Sequence, residues 1–82
     1  MDGREFLSLL EDLFEVERDA IDLDTPLQDI PGWDSLTFVG LIARIDDEFG
    51  VTLGPQSVLR CRTIADLLDH VEEELRRHRH AA

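Results

Sequence analysis

Apolar residues recur at three- and four-residue spacing in three long stretches of this chain and nowhere alternate at period two, so the pattern predicts helices and no strands. The first stretch runs from about Asp2 or Gly3 to about Val16 and sets Phe6, Leu7, Leu9, Leu10, Leu13 and Phe14 on one broad face. Asp2 and Glu5 stand at capping-box spacing at its start. The second places Phe38, Leu41, Ile42, Ile45 and Phe49 on one stripe and closes at Gly50, a residue suited to the left-handed position after a helix, with Val51 able to fold back. The third carries Ile64, Leu67, Leu68, Val71 and Leu75 behind a Thr63–Asp66 capping pair. Pro55 can open a short helix through Leu59, because proline is favoured at the first helical position. The predicted fold is all-α: a small bundle of three main helices plus one short helix, with a long first loop.

That loop, from Glu17 to Trp33, has no periodicity and is punctuated by Asp24-Thr25-Pro26 and Pro31-Gly32. Its apolar anchors Ile21, Leu23, Leu27 and Ile30 predict a packed segment rather than a disordered one. The 82 residues suffice for one domain with one modest core and not for a deep enclosed active site. The expected division is a folded body over residues 1–75 and a basic, frayed tail over 76–82. In the last helix Glu72 with Arg76 and Glu73 with Arg77 have the favourable acid-before-base order, worth a few tenths of a kcal/mol per pair.

Charge narrows the partners. Nineteen acids against eight basic residues, all arginine, give a net charge of −11, and residues 1–75 hold every acid and only five arginines, a net of −14. Nucleic acid and anionic membranes are therefore poor partners, and basic protein surfaces are better ones. No transmembrane stretch or signal peptide is visible, so a cytoplasmic monomer is expected. The single cysteine, Cys61, excludes an internal disulfide and reads as a half-buried filler.

The candidate chemistry lies where the acidic loop gives way to the second helix, at Asp34-Ser35-Leu36. Asp34 is a strong N-cap type, which puts Ser35 in the first turn, where unpaired backbone N–H groups and the helix dipole favour an attached anion such as a phosphodiester. At about 100° per residue, Leu36, Val39, Gly40 and Ala43 form a second apolar strip nearly opposite the buried stripe, beginning beside Ser35. Together with Asp46 and Asp47 on the same helix, this strip reads as a docking surface.

Ile30-Pro31-Gly32-Trp33-Asp34-Ser35-Leu36, the apolar and acidic helix after it, Glu48-Phe49-Gly50-Val51 and Thr63-Ile64-Ala65-Asp66-Leu67 resemble an acyl or peptidyl carrier protein over nearly the whole chain. The resemblance implies that Ser35 receives 4′-phosphopantetheine from coenzyme A through a phosphopantetheinyl transferase, and that the arm's thiol then carries an acyl or aminoacyl group as a thioester. It implies further that Asp34 helps to hold the transferase's magnesium ion, that Leu36, Val39 and their helix are recognised by loading and downstream synthase enzymes, and that the protein is a non-catalytic carrier. Fatty-acid-synthesis members carry acids through the exposed part of this helix, whereas Thr37, Gly40 and Ala43 dilute the charge here. The Gly-Trp-Asp-Ser-Leu form looks more like free-standing carriers of polyketide, nonribosomal peptide or D-alanine pathways.

Other readings are weaker on the same residues. A serine hydrolase needs a base near Ser35, yet His70, His78 and His80 lie in or after the last helix and no Gly-x-Ser-x-Gly elbow surrounds the serine. His78 and His80 flank Arg79 in the basic tail, where a solvated end is the default and no metal site is expected. Trp33 reads as a cover for the core edge, with a shelf beside a prosthetic arm as the alternative. An unmodified helical bundle acting as an interaction adaptor is the main rival.

Overall fold

Asp2, extended at φ −82° and ψ 136°, starts helix α1 (Gly3–Phe14) in the computed structural model, which describes residues 2–80. Its carboxylate accepts the Arg4 N–H at 3.2 Å, so the observed cap runs to Arg4 rather than through a reciprocal bond with Glu5. The helix ends two residues before the expected Val16, because Glu15 turns into the left-handed region at φ 55°. Val16 N–H then returns to the Glu11 carbonyl at 3.1 Å and its side chain packs against the core. Helix α2 (Ser35–Phe49) stops at Gly50, φ 71°, and Val51 folds back to full burial as its spacing predicts. Helix α3 (Pro55–Arg60) begins at its proline, and helix α4 (Ile64–His80) is capped by Thr63 and Asp66. Thr63 Oγ1 accepts the Asp66 N–H at 3.3 Å, and Asp66 Oδ2 accepts the Thr63 N–H at 3.2 Å.

The helical course of α4 continues past Leu75 to His80. Arg77 reaches Glu73 at 3.1 Å, the pair its spacing predicts, and also Glu74 at 3.3 Å. The reading of His78 and His80 falls on side chains outside those described.

Among the described residues, four helices and no strands surround a core of Phe6, Leu10, Leu41, Ile45, Val58, Ile64, Leu67 and Val71, each fully buried. Burying one such side chain stabilises by about 1.5–3 kcal/mol, so this cluster is the main source of cohesion. Phe38, Ile42 and Phe49 of the predicted stripe pack only partly, at the edge of that core.

The long loop is packed, as its anchors predict: Ile21, Leu27 and Ile30 are buried, and a single 3-10 turn spans Leu27–Asp29. It also supplies acceptors to the start of α4, with Ile64 N–H donating to Thr25 O at 3.0 Å and Ala65 N–H to Leu23 O at 2.8 Å. Two otherwise unpaired helix donors are satisfied in this way. Near its start the loop is pinned to α1 by Glu11, a carboxylate only 8% exposed. Glu11 accepts from Arg4 at 2.8 Å and from the Asp19 N–H at 2.9 Å, while Arg4 also reaches Asp19 at 3.2 Å. The loop is thus tied to α1 near its start and to α4 at its middle before the chain enters α2.

Candidate functional site: the start of helix α2

Pro31-Gly32 turns the chain with Gly32 at φ 87°, a conformation that side chains resist. Trp33 follows, half-buried, its ring stacked on Phe14 at 5.9 Å and 27° and set edge-on to Phe38 at 6.0 Å and 75°. These contacts match the core-edge reading of Trp33 and anchor the backbone one residue before Asp34.

Asp34 is extended, at φ −154° and ψ −177°, and caps α2. Its Oδ1 accepts the Thr37 N–H at 2.8 Å, and Thr37 Oγ1 accepts the Asp34 N–H at 2.8 Å, completing a capping box. The one proton of the Thr37 hydroxyl is shared among the Gly32 carbonyl at 2.9 Å and the Asp34 carbonyl and Oδ1, each at 3.1 Å. The Thr37 N–H, followed by its hydroxyl and more weakly by the Leu36 N–H, holds the Asp34 carboxyl below its usual range. Stabilising the charged form is what such bonds do, and Asp34 is an anion at neutral pH.

Ser35 is the first residue of α2 and is exposed. Leu36 is 79% exposed and Val39 62% exposed, which is unusual for large aliphatic side chains, while Ala43, Asp46 and Asp47 are exposed and Gly40 is half-exposed. A Cβ on Gly40 would meet nothing within 4 Å, so the surface there is open. Asp34, Ser35, Leu36 and Val39 share the first turns of the helix, whereas Asp46 lies about 16 Å along the axis at 1.5 Å per residue. The strip is therefore one surface with an apolar end beside Ser35 and an acidic end far from it.

Two features escaped the pattern reading. Thr37 serves as the reciprocal capping residue, a role expected of glutamate or glutamine, and the Asp-x-x-Thr spacing was its only signal. Leu59, read only as the end of the short helix, is 67% exposed on α3. Cys61 is half-buried with Sγ 3.5 Å from the Ser57 carbonyl, and burial, then the neighbouring Asp66, pushes its thiol pKa up. That is an inert filler's setting.

The family model described as the phosphopantetheine attachment site matches residues 4–71. The chain is 37% identical over 76 residues to the acyl carrier protein MbtL of Mycolicibacterium paratuberculosis, covering 92% of this chain and 84% of that protein. It is 31% identical over 67 residues to an acyl carrier protein of Trieres chinensis, covering 82% and 84% respectively. Its fold superposes on the solution structure of a holo acyl carrier protein from Geobacter metallireducens with a TM-score of 0.81, across 100% of this chain and 95% of that one, at 22% identity. The residues fit the group that such a domain bears: an exposed hydroxyl at a helix start offers a nucleophile, and the helix's positive pole faces the place a phosphodiester would occupy. The all-helical bundle, the capped and exposed serine turn and these likenesses together make the chain a member of the acyl and peptidyl carrier protein family, whose prosthetic group is 4′-phosphopantetheine.

Proposed function

We propose that Ser35 is the attachment residue and that the protein is a non-catalytic carrier, its arm moving a thioester-bound group between enzymes. The observation that carries this reading is the exposed Ser35 at the capped start of α2, inside the matched segment and beside the exposed Leu36 and Val39. Asp34, ionised at neutral pH, helps to hold the transferase's magnesium ion in this reading, and its negative charge supports that role. Leu36, Val39, Gly40 and Ala43 meet partner enzymes, and Asp46 and Asp47 steer basic ones from the far end of the same helix.

An acyl cargo is favoured over an aminoacyl one because the relatives above are acyl carriers by name. The dilution of acidic charge by Thr37, Gly40 and Ala43 supports a dedicated biosynthetic pathway, of polyketide, nonribosomal peptide or related type, over housekeeping fatty-acid synthesis. Incubation with coenzyme A, magnesium and a promiscuous phosphopantetheinyl transferase is expected to add one phosphopantetheine group to the wild type and none to Ser35→Ala, read by intact-protein mass. A wild type left unmodified by several transferases would instead favour the unmodified adaptor.

A further inference from the structure

The Thr37 side chain stands at a junction of three backbone segments. Its hydroxyl oxygen accepts the Asp34 N–H at 2.8 Å, its hydroxyl proton has the Gly32 carbonyl as nearest acceptor at 2.9 Å with Asp34 O and Oδ1 sharing it at 3.1 Å, and its own N–H donates to Asp34 Oδ1 at 2.8 Å. One residue thereby ties the left-handed turn at Gly32, the cap at Asp34 and the first turn of α2 into a closed ring of hydrogen bonds. Ser35 lies inside that ring in sequence, exposed at its surface. The direction of its Cα–Cβ bond is therefore set by the backbone from Asp34 to Thr37, which Thr37 holds.

We propose that Thr37 is a positioning residue for the modification of Ser35, its hydroxyl fixing the backbone that aims Ser35 Oγ in the transferase complex. The proposal rests on the reading of Ser35 as the attachment residue. In that reaction Ser35 Oγ bonds to the phosphorus of the phosphopantetheine half of coenzyme A, and the P–O bond to the nucleotide half breaks. Adenosine 3′,5′-bisphosphate leaves, and the serine proton passes to a base of the transferase. Thr37 enters none of these bond changes. Its effect is on the approach of the nucleophile, where a misplacement of about 1 Å can cost up to 10²-fold in rate. The loss belongs in kcat more than in KM, since Leu36 and Val39, the apolar docking residues, stay in place.

The test compares time courses of phosphopantetheine addition, by intact mass with coenzyme A, magnesium and one transferase, for the wild type and four variants. Thr37→Val keeps the branched shape without the hydroxyl, and Thr37→Ala removes the hydroxyl without the branch. Thr37→Ser restores the hydroxyl. Thr63→Val removes a capping hydroxyl from the start of α4, where Thr63 Oγ1, on the N-cap side of that box, accepts the Asp66 N–H at 3.3 Å, and so measures a lost cap remote from Ser35. Thr37→Val and Thr37→Ala should each lose about tenfold in kcat with KM within about twofold, while Thr37→Ser and Thr63→Val stay within about twofold of the wild type. Amide exchange of the Asp34 N–H should quicken in Thr37→Val and not in Thr37→Ser. Wild-type rates in both Thr37→Val and Thr37→Ala, a Thr37→Ser as slow as they are, or an equal loss in Thr63→Val would overturn the proposal. An unmodified wild type would overturn the attachment reading itself and so is distinguishable from these outcomes.

Discussion

At the scale of single residues, the carboxylate of Asp34 ties the helix start to pH. The Thr37 N–H and hydroxyl stabilise its charged form, so its pKa in the folded state lies below the usual 3.8. A depressed carboxyl contributes stability that is present above the unfolded value and is lost as pH falls through the folded one. Thermal melts from about pH 6 down to about pH 2 should therefore fall more steeply for the wild type than for Asp34→Asn, which keeps a capping oxygen without titrating. Parallel pH profiles would contradict the cap as described. Asp34 was legible in the sequence because aspartate before an amphipathic run is a strong cap signal. The reciprocal role of Thr37 was not, because a threonine in a first turn looks like any polar surface residue until its hydroxyl is seen between Gly32 and Asp34.

Elements differ in how much of their stability comes from places the hydrophobic pattern cannot mark. The stripe of α2 was read correctly in phase, since Leu41 and Ile45 are fully buried while Leu36 and Val39 stand in solvent. Val39→Asp should change the unfolding free energy by no more than about 0.5 kcal/mol, whereas Ile45→Asp, an unpaired charge in the core, should cost several kcal/mol and unfold the domain. Urea melts followed by circular dichroism separate the two, and the opposite order would mean the helix faces the other way. Glu11 was not legible as a structural residue, because its partners, Arg4 and the Asp19 N–H, come together only once the loop has folded back on α1. Glu11→Ala strands a backbone donor and should cost about 1–3 kcal/mol. Glu48→Ala breaks an exposed pair with Arg44 at 3.2 Å and should cost less than about 0.5 kcal/mol. Equal losses in the two variants would show that the Glu11 contact does not hold the loop.

Across the whole molecule, acidic charge opposes compaction and, in the proposed function, steers basic partner enzymes. With a net of −14 on residues 1–75, raising ionic strength from about 0.01 M to about 0.5 M shortens the screening length from about 30 Å to a few ångströms. The melting temperature should rise while association with a basic partner enzyme slows, and a melting temperature that falls with salt would mean the acids are already paired in the fold. The all-helical bundle was legible because periodicity, caps and turn residues agreed along the chain. The docking of the loop on α4 depends on contacts between distant residues, such as Ala65 N–H to Leu23 O, that no local pattern encodes. The proposed function turns on Ser35 as the attachment residue, and peptide mapping tests that most directly. Trypsin cleaves after Arg18 and Arg44, releasing a 19–44 fragment that holds Ser35 together with Thr25 and Thr37 as the other hydroxyls of these types. After incubation with coenzyme A and a transferase, fragmentation of that peptide should place the phosphopantetheine mass on Ser35. The same mass on Thr25 or Thr37, or on a peptide carrying Ser8 or Ser57, would contradict the assignment.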